Sequence, residues 1–110
     1  MSKDLSISVL MDFYSELLTD KQRDTLDLYY NNDYSLAEIA VDLDISRQGV
    51  RDFIKRGEKQ LYEFEEKLGL VKKYDKISEN IKEIEKIIET LNFSKKDELK
   101  ILTEKIKQEL

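Results

Sequence analysis

Five side chains between positions 47 and 56 carry most of the recognition chemistry in this chain: Arg47, Gln48, Arg51, Lys55 and Arg56. Guanidinium and ammonium groups meet phosphate oxygens, and a glutamine amide can pair with the edge of an adenine. Arg47, Arg51 and Lys55 follow one another at intervals of four, so a helix displays them together. The pattern points to nucleic-acid binding, with no nucleophile and base beside it. Histidine and cysteine are both absent. That removes disulfides, most zinc sites and His- or Cys-dependent catalysis. The many carboxylates fall at surface helical spacing, and no glycine-rich phosphate loop is present. The expectation is a binding protein that is not an enzyme and has no cofactor or metal.

Residues 35–56 supply the elements that must hold those side chains. Ser35 followed by Glu38 is a capping box that starts a helix. Leu36, Ile39 and Leu43 recur at helical spacing beside the small Ala40. Asp44 interrupts, Ile45 is apolar, and Ser46 is a second N-cap. Val50, Phe53 and Ile54 then open a new apolar stripe. Two helices, a short turn and a small residue at their crossing make a helix-turn-helix. Its second helix turns Arg47, Gln48, Arg51 and Lys55 outward.

Charge sharpens the contrast. The 110-residue chain has a formal net charge of −5, against the basic excess usual in dedicated nucleic-acid binders. Residues 1–46 contain only Lys3, Lys21 and Arg23 as cations amid a large acidic excess. Residues 47–59 reverse the balance, with Arg47, Arg51, Lys55, Arg56 and Lys59 against Asp52 and Glu58. Solvation alone would explain such a cluster on most helices, but this one lies on the second helix of the motif.

Around the motif the chain reads as all-α. It has no proline, and strand-like alternation is missing. A first helix is predicted from Ile7 to Leu18, with Ile7, Leu10, Tyr14 and Leu17 on one face. Thr19 and Gln22 cap a second helix that runs to Tyr30, where Asn31, Asn32 and Asp33 form a turn. A third spans Leu36–Leu43. The fourth continues from Ser46 to Leu68 and stops at Gly69. Gly57 lies on its apolar stripe and costs roughly 1 kcal/mol relative to alanine, which close approach of the first helix would explain. Tyr29, Tyr30 and Tyr34 are expected to pack beneath the third helix.

After Gly69 the composition shifts. Ile77, Ile81, Ile84, Ile88 and Leu91 repeat at four-three spacing with Lys and Glu between them, a seam about two heptads long. Asn92 ends it. Ser94 with Asp97 is predicted to cap a last helix carrying Leu99, Leu102, Ile106 and Leu110. Like-charged neighbours such as Glu79 with Glu83 and Lys82 with Lys86 leave stability to the apolar stripe. The expected organisation is a helix-turn-helix domain over residues 1–69 and a C-terminal amphipathic helical hairpin over residues 70–110. The stripe either closes on the first domain as a monomeric bundle or packs on a second copy, and the expectation is a homodimer. No run of apolar residues is long enough for a membrane span and no signal peptide is visible, so the protein is expected in the cytoplasm without membrane insertion.

Residues 18–61 resemble the fourth region of bacterial sigma factors. Leu18, Gln22, Arg23 and Leu26 match its leading helix, Ser35, Glu38, Ile39 and Ala40 its next segment, and Ser46, Arg47, Val50 and Arg51 its reading helix. The resemblance implies base contacts at Arg47, Gln48, Arg51 and Asp52. Asp52 departs from the pattern, since a carboxylate there repels phosphate. The polymerase-binding regions of sigma factors are missing. Over its whole length the chain is similar to the small YlxM-type proteins, through MDFYSELLTDKQRDTLDLYYNNDYSLAEIA and the charged amphipathic tail. That resemblance implies an accessory of the signal recognition particle pathway, with the particle's RNA or GTPase as partner. DNA, bound by a dimeric transcriptional regulator, is the alternative.

Overall fold

The computed structural model describes residues 6–90 and 94–110. Among these residues there are six α-helices and no strand: α1 (Ser6–Tyr14), α2 (Asp20–Tyr30), α3 (Leu36–Leu43), α4 (Arg47–Leu68), α5 (Leu70–Thr90) and α6 (Lys96–Glu109). The chain divides into two units, residues 1–69 and 70–110.

Two capping boxes build the first unit. The Thr19 hydroxyl accepts the Gln22 N–H at 3.2 Å while the Gln22 side chain accepts the Thr19 N–H at 3.4 Å. Ser35 and Glu38 repeat this at 3.1 and 3.3 Å. Each box satisfies two N–H groups that a helix start leaves unpaired. Helix α1 is shorter than its periodicity predicts. It gives way after Tyr14 to a 3-10 turn over Ser15–Leu17, because Leu18 and Thr19 must be extended for Thr19 to cap α2.

Helix α4 is the central strut, packed against α1, α2 and α3. Its Val50, Ile54 and Leu61 are fully buried among Ile7, Leu26 and Ile39 of the other three. The Tyr14 and Phe64 rings meet at 6.0 Å, joining α1 to α4. Gly57 is explained by α2, where the first helix was expected. A Cβ at Gly57 would stand 2.8 Å from Cδ1 and 3.3 Å from Cγ of the buried Leu26. Tyr29 and Tyr30 are buried with their rings edge to face at 5.1 Å. The Tyr30 hydroxyl donates to the Glu58 carboxylate, so this tyrosine is tied to α4 as well. At the end of α4, Gly69 adopts φ +61°, a left-handed cap that suits glycine.

In the second unit α5 starts at Leu70, directly after that cap. Glu89 on α5 pairs with Lys100 on α6 at 2.8 Å and with Lys96 at 3.9 Å, and Glu85 pairs with Lys107 at 3.3 Å. Earlier residues of α5 thus meet later residues of α6, and the hairpin is antiparallel. Only Ile81, Ile88 and Thr103 are buried in it among the described residues. The predicted seam is therefore split. Ile81 and Ile88 face inward, whereas Ile77 and Ile84 remain exposed because α6 covers one side of α5. Leu91 and Asn92 lie outside the described residues. Ser94 does not cap α6: the N-cap position falls on Lys95, with φ −100°, ψ 13° and no side-chain hydrogen bond. Capping needs extended backbone, which Lys95 lacks. Asp97 and Glu98 in the first turn complement the helix dipole instead.

Candidate nucleic-acid interface

The turn between α3 and α4 sets the angle at which the reading helix is presented. Asp44 takes up left-handed backbone (φ 54°, ψ 47°) and ends α3. The Ile45 N–H returns to the Ala40 carbonyl at 3.1 Å, closing the turn. Ser46 then caps α4, its hydroxyl accepting the Gly49 N–H at 2.9 Å. A Cβ at Gly49 would press on that hydroxyl at 3.2 Å, so the glycine serves the cap. Three residues, Asp44, Ile45 and Ser46, thus separate the two helices of the motif.

Helix geometry sorts the predicted residues. With Val50, Ile54, Gly57 and Leu61 inside, the opposite line of α4 runs through Gln48, Asp52, Lys55 and Lys59, all exposed. Arg47 and Arg51 lie along one flank of that line. Arg47 is exposed, while Arg51 is half-buried and its Nε is shielded with no hydrogen-bond partner. Arg56 falls on the other flank. Its guanidinium sits 5.6 Å from the centre of the Phe53 ring, and Lys21 of α2 approaches the same ring at 5.7 Å. The structure brings Arg47, Gln48, Arg51 and Lys55 to one side and sets Arg56 apart with Lys21.

Lys59 belongs with the first group as well. Its place is legible in the sequence as the i, i+4, i+7, i+11 progression from Gln48 through Asp52 and Lys55. Asp52 is engaged within the same face. The Gln48 amide donates to Asp52 Oδ1 at 2.9 Å. This bond orients the amide and occupies one carboxylate oxygen, leaving the Gln48 carbonyl and its second N–H for a ligand. The arrangement can deliver cations to phosphates along one helix face, with one oriented amide at its N-terminal end.

No helix of the described residues is long and apolar enough to cross a membrane. The profile of a protein family described as "Putative helix-turn-helix protein, YlxM / p13 like" matches residues 1–108. Similar proteins carry the same family designation. The UPF0122 protein of Thermoanaerobacter sp. strain X514 is 52% identical over 102 residues, covering 91% of this chain and 87% of its own length. That of Caldanaerobacter subterraneus subsp. tengcongensis is 58% identical over 87 residues, 79% of this chain and 72% of its own. That of Listeria welshimeri is 46% identical over 87 residues, 79% of each chain. Two capping boxes, a three-residue turn and a family match along almost the whole chain lead to one assignment: this chain belongs to the UPF0122 family of YlxM/p13-like helix-turn-helix proteins.

Proposed function

We propose that this protein binds nucleic acid through the outward face of α4 and serves as a cytoplasmic accessory of the signal recognition particle pathway, docking on the particle's RNA or GTPase. One observation carries the binding face: Lys55 and Lys59 stand exposed beside Arg47 on the second helix of the motif, within an otherwise acidic unit. The pathway rests on the resemblance to YlxM-type proteins. Phosphates attracted to α4 meet repulsion from the surrounding carboxylates, which makes binding to free duplex weak and salt-dependent. An RNA whose shape fits one helix face suits this distribution better than a long uniform duplex.

The oriented Gln48 amide supports a second reading, a dimeric DNA-binding regulator that inserts α4 into the major groove. Native-gel mobility shifts with particle RNA, particle GTPase and random DNA duplex, at about 50 and about 200 mM salt, separate the two. Retention of RNA or GTPase binding at the higher salt, with loss of random duplex, supports the accessory role. Nanomolar binding of one defined DNA duplex alone at physiological salt would sink it. Lys55→Glu with Lys59→Glu tests the face itself. Both side chains are exposed, so circular dichroism should be unchanged while the slope of log affinity against log salt falls by about two. An unaltered slope would place the nucleic acid elsewhere.

A further inference from the structure

The α5–α6 hairpin has two unlike faces. On one, Glu85 and Glu89 reach across to Lys107 and to Lys96 and Lys100. On the other lie Ile77, Ile84 and Ile87 of α5 with Leu99, Leu102 and Ile106 of α6. Each residue advances a helix by about 100°, which sets these six on the side away from the ion pairs in both helices once they run antiparallel. Their exposure runs from 39% at Leu99 to 57% at Ile87. We infer that this face is the interface of a homodimer, in which two hairpins pack face to face as a four-helix bundle.

Three observations select a second copy as the occupant. The first is area. The six side chains leave roughly 550 Å² of apolar surface per copy, about 1,100 Å² for two, and the stems of rim lysines bring the pair into the standard range of about 1,200–2,000 Å². Such a patch is also at the upper end of what a monomer displays, about 300–600 Å². The second is charge. Residues 70–110 contain ten Lys and nine Asp or Glu, so the unit is almost neutral and two copies do not repel. A phosphate-rich ligand has no basic excess to attract it here. The third is the rim. Along α5 it carries Lys73, Lys76 and Glu83, and along α6 Lys95, Glu98, Lys105 and Glu109, all exposed, so both edges mix the two signs. With both signs on each edge, no block of like charge opposes a two-fold self-contact. Packing also adds to what the hairpin buries, since among the described residues only Ile81, Ile88 and Thr103 are buried in it.

This inference stands on the hairpin and is independent of what α4 binds. Sedimentation equilibrium of the full chain, from about 1 to about 100 µM, should give twice the 13.1 kDa of one chain. Ile84→Lys with Leu102→Lys should return it to one copy. Hydrogen exchange on the unaltered chain should show α5 and α6 amides gaining protection with concentration while α2 to α4 do not. A single-copy mass for the unaltered chain at every concentration overturns the inference. So does a dimer that survives the lysine substitutions in the hairpin but is lost with Val41→Lys on α3.

Discussion

Helices α4 and α5 are almost the same length and carry equally regular apolar stripes, yet they end in different environments. Val50, Ile54 and Leu61 of α4 are sealed, whereas Ile77 and Ile84 of α5 stay more than two-fifths exposed. The cause is the number of neighbours. Helix α4 is packed by three others, which together surround its apolar side. Helix α5 has only α6 among the elements of its own unit, and one neighbour covers one side of a stripe. Periodicity therefore identifies the face a helix offers. Whether that face is closed depends on what else is available to meet it.

The strongest way to break this contrast is to remove a side chain from each stripe. Ile54→Ala empties a fully enclosed site and should lower the unfolding free energy by about 3 kcal/mol in urea titrations, at any protein concentration. Ile84→Ala removes a half-exposed side chain. It should cost well under half as much in dilute solution, and its cost should grow as the concentration rises and hairpins pair. Equal, concentration-independent losses for the two would mean that the hairpin is already closed and the comparison fails.

A smaller effect sharpens the comparison at the helix starts. Ser35→Ala removes a hydroxyl that accepts the Glu38 N–H and should cost about 1 kcal/mol in thermal unfolding. Ser94→Ala should fall within about 0.5 kcal/mol of no change, since Ser94 is exposed and the N-cap of α6 is Lys95. From sequence the two serines look alike, each followed three residues later by an acidic side chain. A loss at Ser94 matching that at Ser35 would restore the capping box that the structure denies.

These cases also mark how far the sequence could be read. The caps at Thr19, Ser35 and Ser46 and the stop at Gly69 are local events, decided by a few adjacent residues, and they match the predicted positions. The ends of α2, α3 and α4 follow from them. What local pattern could not supply was the identity of a neighbour. Gly57 signalled close packing, but only the fold shows Leu26 of α2 as the side chain it admits. Arg56 looked like one more cation of the recognition cluster until Phe53 and Lys21 placed it on another flank. Asp52 read as a flaw in the binding face, and its bond to Gln48 needed side-chain geometry to be seen.

The smallest expected effect lies in the ion pairs on the polar face of the hairpin. The hydrogen bond from Lys100, aided by the charges of Lys100 and Lys96, holds the Glu89 carboxyl below its ordinary value of 4.5. Bonds to Glu89 and Glu85 raise the Lys100 and Lys107 ammonium groups above 10.5. A depressed carboxyl contributes its stability above the unfolded value and loses it as pH falls through the folded one. A raised ammonium contributes below the unfolded value and loses it as pH rises through the folded one. The hairpin should therefore hold a plateau between these limits and loosen at both ends, read as faster exchange of α5 and α6 amides relative to α4. Because the pairs are exposed, added salt should shrink the effect. Glu89→Gln should flatten the acid limb and leave the Lys107 part of the alkaline limb, which depends on Glu85. If the acid limb persists unchanged in that variant, the cross-helix pair at Glu89 does not contribute to holding α5 against α6, and the apolar side alone keeps the hairpin together.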